Sequence, residues 1–194
     1  MSCAARAGTL QGLLLAHAAR PQDPLWQALA GVLADAFERH GSQRLPLPGL
    51  GPQATRELLE QGLPGAAAVL GLDWAAMAER EEPRFDEIED LTLLLLEHAD
   101  PQAGPRLHAR GAAWALACAS LGNDHLWQDL RLPSRRELSA LIAHWFPALA
   151  ARNTQDMKWK KFFYKQLCER EQLFICKAPS CAVCDDHPVC FGPE

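Results

Sequence analysis

The residues best suited to chemistry crowd the C-terminal end of the chain. Cys176, Cys181, Cys184 and Cys190 fall in the pattern C-x4-C-x2-C-x5-C. Four thiols this close can serve three ends. They can pair as disulfides, in three connectivities. Cys3, Cys118 and Cys168 would then leave an odd count, and the short apolar stretch at Leu13–Ala16 does not read as an export signal, so reduced thiols are expected. They can hold structural zinc, for which Cys181-x2-Cys184 is a good chelating pair, although the usual zinc module has two tight pairs separated by a longer loop. They can hold an iron–sulfur cluster, for which C-x4-C-x2-C is a known ferredoxin opening spacing. Ala178, Pro179, Ala182 and Pro188 supply the short side chains and fixed turns of a loop that wraps a cluster, with backbone N–H groups to offset its negative charge. Spacing alone sets zinc and iron–sulfur near equality, and the flanking residues move the balance toward the cluster.

Other groups could assist. His187 sits inside the last Cys interval, beside Asp185 and Asp186. It is a candidate labile ligand, against the plainer reading of Asp-Asp-His-Pro as a polar turn. Cys168 and His125 are candidate accessory or supporting groups, against the readings of a buried thiol near a helix end and a capping or core histidine. All five lysines, Lys158, Lys160, Lys161, Lys165 and Lys177, also lie in this region. They would give a positive field able to draw in an oxyanion or dock an acidic partner, or they form a solvated helix face.

Composition describes what must position these groups. The 194 residues are 48% hydrophobic, enough for a sizeable core. There are 32 Ala and 31 Leu but only 4 Val and 3 Ile, a balance that favours helices and makes a large sheet improbable. The net charge of −5 argues against duplex nucleic acid as the main partner. No apolar run reaches the roughly 18 residues of a membrane span, so neither nucleic acid nor membrane is expected, and the cytoplasm is the expected location. Residues 1–150 carry 12 Arg against 18 acids, whereas 151–194 carry 7 Lys+Arg against 6 acids. The chain therefore divides into a helical scaffold over 1–157 and a basic, aromatic helix plus Cys-rich loop over 158–194, as one continuous domain.

Local signals place the helices. Residues 9–20 read as a short apolar helix. Asp23 as N-cap, Pro24 at the first position and Gly41 past the end frame the next, with Leu25, Leu29, Val32, Leu33, Ala36 and Phe37 as its apolar stripe. Proline and glycine make 41–53 a loop. Further helices are expected over 55–61, from Asp73 to about Glu81, over 86–99, over the Ala-rich 106–121, from the capping box Ser134–Glu137 to about Trp145, briefly after Pro147, and over 157–173. The predicted architecture is all-α: a helical bundle with an irregular Cys-rich C-terminal loop. No G-x-S-x-G elbow, phosphate-binding glycine loop or H-E-x-x-H pair is present, so a turnover enzyme is not expected.

Three stretches carry a family resemblance. Trp159-Lys-Lys-Phe-Phe-Tyr-Lys-Gln-Leu-Cys168-Glu169, followed by the four-cysteine pattern ending Cys190-Phe191-Gly192, resembles the NifQ family, with its Cys spacing matched throughout. His125-Leu-Trp-Gln-Asp-Leu130, Ser134-Arg-Arg-Glu-Leu138 and Phe85-Asp-Glu-Ile-Glu-Asp-Leu91 are similar to it as well. The resemblance spans residues 84–194. It implies a role in nitrogen fixation: Cys176, Cys181, Cys184 and Cys190 would hold a molybdenum–iron–sulfur cluster, or its iron–sulfur precursor, and the protein would supply molybdenum for the iron–molybdenum cofactor of nitrogenase. Molybdate or another molybdenum source, the nitrogenase Fe protein and the cofactor scaffold complex would be its partners. Where Arg131 stands, family members commonly have Gly, which bears on the local turn. The competing functions are a helical interaction module with a four-cysteine zinc site and a simple iron–sulfur electron-transfer protein.

Overall fold

The computed structural model describes residues 9–41, 50–75 and 85–170. Its regular elements there are all helices: α1 Leu10–Ala16, α2 Pro24–His40, α3 Pro52–Gly62, α4 Ala66–Val69, α5 Phe85–Glu97, α6 Arg106–Ser120, α7 Leu126–Asp129, α8 Arg135–Trp145, α9 Pro147–Ala150 and α10 Trp159–Arg170. No strand occurs among the described residues. The Cys-rich loop, residues 76–81 of the helix expected from Asp73, and most of the 41–53 loop lie outside them.

The helix ends follow from local chemistry. Asp23 Oδ1 accepts the Leu25 N–H at 3.0 Å, and Gly41, at φ 72°, closes α2 by donating to Phe37 O at 2.8 Å. The first helix is shorter than the expected 9–20. The N–H groups of His17 and Ala18 turn back to the carbonyls three residues earlier, those of Leu14 and Leu15, and so end α1 at Ala16. Ser134 Oγ accepts the Arg136 N–H at 3.1 Å and donates to Glu137 Oε2 at 2.5 Å, so the two side chains of the capping box bond each other. This bond holds the Glu137 carboxyl below its ordinary pKa.

One core joins every helix. α2 is buried around nearly its whole circumference, not along one stripe: Trp26, Ala28, Ala30 and Ala34 are buried together with Leu25, Leu29, Val32 and Leu33. The reason is its position, with α1, α6 and α8 packed around it. α6 is similarly enclosed. Its alanines let neighbours approach closely, and at Gly111 an added Cβ would stand 2.7 Å from the Leu58 side chain. α6 packs along α5, and α5 in turn receives α10. Trp159, Phe162, Phe163, Tyr164 and Leu167 seat α10 in the same core, so the helix that leads to the cysteines is anchored in the scaffold.

Candidate functional site

Cys176, Cys181, Cys184, Cys190, His187 and Lys177 lie outside the described residues. What the structure describes is the support that precedes them, built on α10.

Two devices fix the start of α10. Asn153 bonds residue 157 twice, accepting its N–H at 2.8 Å and donating to its carbonyl at 3.1 Å. Arg135 on α8 donates to Asp156 Oδ1 at 2.6 Å and to the carbonyls of Asp156 and Met157. These bonds hold residues 153–157 as a turn, with Asp156 at φ 51°, so the helix begins at Trp159 and not at Met157. Trp159 then packs edge-on against Phe162, with ring centroids 5.7 Å apart, and donates its indole N–H to Ser139 Oγ at 3.0 Å.

The basic run does not form one solvated face. Lys160 points into the scaffold, where its Nζ donates to Asp129 and, at 2.8 Å, to the Gly122 carbonyl. Both charged side chains of this pair are only 15% exposed. Lys165 lies 3.9 Å from Glu169 one turn on. Lys158 is exposed and Lys161 half-buried. Of the expected steering lysines within the described residues, Lys160 thus has a structural tie, and it joins two of the sequence stretches that stood out.

The other half of that tie is the 125–131 segment. His125 is exposed and occupies the N-cap of α7, with its backbone N–H bonded to Gln128 Oε1 at 3.1 Å. The segment ends at Arg131, whose φ of 53° is left-handed, the conformation that glycine adopts most readily. Arg131 is held there from both sides. Gln11 Nε2 donates to its carbonyl at 3.1 Å, and its guanidinium pairs with Glu38 at 2.6 Å and Asp35 at 3.4 Å. The hydrogen bond from Arg131 lowers the Glu38 pKa, and the same pairing raises that of Arg131. Gly31 lets α2 approach this turn, since a Cβ there would lie 2.1 Å from Leu130 O.

Cys168 is half-buried in α10 and Cys118 half-buried in α6. Among the described residues, no group of three or more His, Cys, Asp or Glu side chains could hold a metal ion, and no helix is long and apolar enough to cross a membrane. At the far end of α10 a surface cleft of about 530 Å³ opens between α5, Arg152 and α10. Sequence reasoning did not single out the histidine in its wall, His98. The only signal was its place just past the end of the α5 pattern.

The described residues define an all-helical body whose last helix, α10, is anchored in the core by its aromatic side chains. Comparison with known proteins gives the family. The NifQ family model matches residues 28–192. Protein NifQ of Azotobacter vinelandii is 42% identical over 166 residues, covering 81% of this chain and 84% of that protein. Protein NifQ of Rhodobacter capsulatus is 38% identical over 175 residues, covering 77% and 94%. Protein NifQ of Klebsiella pneumoniae is 41% identical over 116 residues, covering 59% and 66%. No solved structure matches. The chain belongs to the NifQ family, which is involved in nitrogen fixation.

Proposed function

We propose that this protein carries a molybdenum–iron–sulfur cluster and gives up its molybdenum for the iron–molybdenum cofactor of nitrogenase. The observation that carries the proposal is the C-x4-C-x2-C-x5-C set, which lies wholly inside the family match. Soft thiolates suit iron and stabilise iron–sulfur clusters. If the iron part has three irons, each would need one protein thiolate, so Cys176, Cys181, Cys184 and Cys190 would hold it with one thiol to spare. Molybdenum, held by fewer protein ligands, would then be the metal released. Molybdate is the incoming species in this scheme. The Fe protein and the cofactor scaffold complex receive the metal. The protein acts in the cytoplasm as a donor and not as a turnover enzyme.

The scaffold's part is to hold the thiol segment at a fixed place. The aromatic face of α10 in the core and the tie from Lys160 to Asp129 support that role. The exposed Lys158 adds positive charge near the start of α10, in keeping with oxyanion capture or an acidic partner.

Elemental analysis of anaerobically purified protein tests the proposal. A brown protein containing iron, acid-labile sulfide and molybdenum is the expected result. Iron and sulfide without molybdenum, even after molybdate loading, would point to a simple electron carrier. A colourless protein with one zinc and no sulfide would end the proposal.

A further inference from the structure

The stretch Phe85–Leu91 stood out in the sequence, and the core accounts for only part of it. Ile88 and Leu91 are buried, whereas Phe85, Asp86 and Glu89 are exposed and Asp90 is half-buried. Among the described residues three large hydrophobic side chains are exposed, and two of them, Phe85 (38%) and Leu93 (49%), lie on α5. Phe85, Glu89 and Leu93 follow one another at successive turns of the helix, with the half-buried Leu96 one turn further on. α5 also carries Asp86, Glu87, Glu89, Asp90 and Glu97 and no basic residue.

The neighbouring helix supplies the opposite charge. A short loop, residues 98–105, joins α5 to α6. Phe85, at the start of α5, stacks on Trp114, past the middle of α6, with ring centroids 6.2 Å apart. The two helices are therefore antiparallel. Counting turns from that contact, Glu89 stands level with Arg110 and Leu93 with Arg106. Arg106 is exposed and Arg110 half-buried. Arg110 lies one turn from Trp114, on the side of α6 that Phe85 reaches. These charges do not meet within the chain. Among the described residues, Asp86, Glu89 and Asp90 have no ion pair, and neither have Arg106 and Arg110, whereas Glu97 pairs with Arg170 at 3.4 Å. The two helices thus share a face that is acidic and apolar on the α5 side and basic on the α6 side.

We propose that this α5–α6 face binds a second copy of the chain. A two-fold axis running along the groove between the helices lays α5 of one copy over α6 of the other at the same level. Glu89 then meets Arg110 of the second copy, Arg110 meets the second copy's Glu89, and Phe85, Leu93 and Leu96 are covered. Charge complementarity selects this occupant: the face carries both signs side by side, so it matches itself. The proposal is independent of the carrier function. Its test is sedimentation equilibrium of the full chain, purified anaerobically with its thiols kept reduced. The wild type should dimerise reversibly in the micromolar range, and high salt should weaken the dimer. Glu89→Arg and Arg110→Glu, each alone, set like charges opposite one another and should weaken it about tenfold or more. An equimolar mixture of these two variants should associate again, because one copy then presents only positive and the other only negative charge at the two positions. Leu93→Ser, an exchange at an exposed position that leaves the core intact, should weaken the dimer as well. A wild type that stays monomeric up to near-millimolar concentration, as it would if the face served a different protein, would overturn the proposal. So would a dimer that both charge reversals leave intact, or a mixture of the two that stays monomeric while each keeps its helix content by circular dichroism.

Discussion

Lys160 of α10 and Asp129 of α7 form an ion pair across 31 positions of sequence, both side chains 15% exposed, with the Gly122 carbonyl as a third partner. The pair closes over Gly122, where an added Cβ would lie 2.4 Å from the Asp129 carboxyl carbon. Removing one member leaves the other charged in a site largely cut off from water. Lys160→Met and Asp129→Asn should each cost about 2–3 kcal/mol in urea unfolding. The double variant should cost clearly less than the sum of the two, because no lone charge remains. Additive costs would show that the pair contributes nothing of its own.

Arg131 gives a second test, in which the ranking of variants matters more than any one value. Its left-handed backbone costs about 1 kcal/mol relative to glycine, and its ion pairs with Glu38 and Asp35 return about the same. Arg131→Gly loses the pairs but sheds the strain, so its melting temperature should stay near that of the wild type. Arg131→Ala loses the pairs and keeps the strain, so it should melt lowest. Equal losses in the two variants would mean that the backbone conformation carries no cost.

Gly31 makes the approach of α2 to the same turn possible. The obstacle to a side chain there is the Leu130 backbone carbonyl, 2.1 Å from the added Cβ, which cannot swing aside as a flexible side chain could. Gly31→Ala should destabilise by about 2–3 kcal/mol. A variant as stable as the wild type would show that α2 and the turn separate easily.

His108 sets an acid limit to stability. The ring is buried against Trp26, edge-on at 5.0 Å, and its Nε2–H donates to Gln61 Oε1 at 2.8 Å. Burial lowers its pKa, Arg20 lowers it further, and Asp23 opposes them. The unfolded chain therefore binds the proton more readily. Stability is full above the ordinary histidine value of about 6.5 and is lost as the pH falls below it toward the folded value. Between pH 7.5 and 5.5 the wild type should lose melting temperature, and His108→Gln should lose less. Equal slopes would show that other groups set the acid limit.

The sequence and the structure agree best where a signal is local. Asp23, Pro24 and Gly41 framed α2 correctly because a cap needs only its own neighbours, and the Ala-rich run foretold the enclosed α6. The misses are long-range. The apolar stripe of α2 could not tell that helices surround it, because Ala28, Ala30, Gly31 and Ala34 are small enough to face anything. The lysine run read as a charged surface, since nothing near Lys160 announces Asp129. Arg131 marked an unusual turn only through the family's glycine, and the partners that hold it, Gln11, Asp35 and Glu38, lie about a hundred residues away. The thiol pattern is the reverse case. Its four positions are plain in the sequence, but spacing alone leaves zinc and iron–sulfur near equality, and its residues lie outside those the structure describes.

The cysteine series separates cluster ligands from incidental thiols. Serine keeps the size of cysteine but replaces a soft thiolate with a hard hydroxyl that rarely ionises, so it supports an iron–sulfur cluster poorly. Serine at Cys176, Cys181, Cys184 or Cys190 should remove most of the iron, sulfide and visible absorption. Three of these variants should lose iron most severely. The fourth, at the thiol to spare, should keep more iron while its molybdenum content falls. Cys118→Ser and Cys168→Ser, at half-buried positions in α6 and α10, should keep wild-type iron and sulfide, because each thiol sits on a helix seated in the core. Loss of iron in Cys168→Ser, with helix content by circular dichroism unchanged, would move that residue into the ligand set and make α10 a wall of the metal site as well as its anchor.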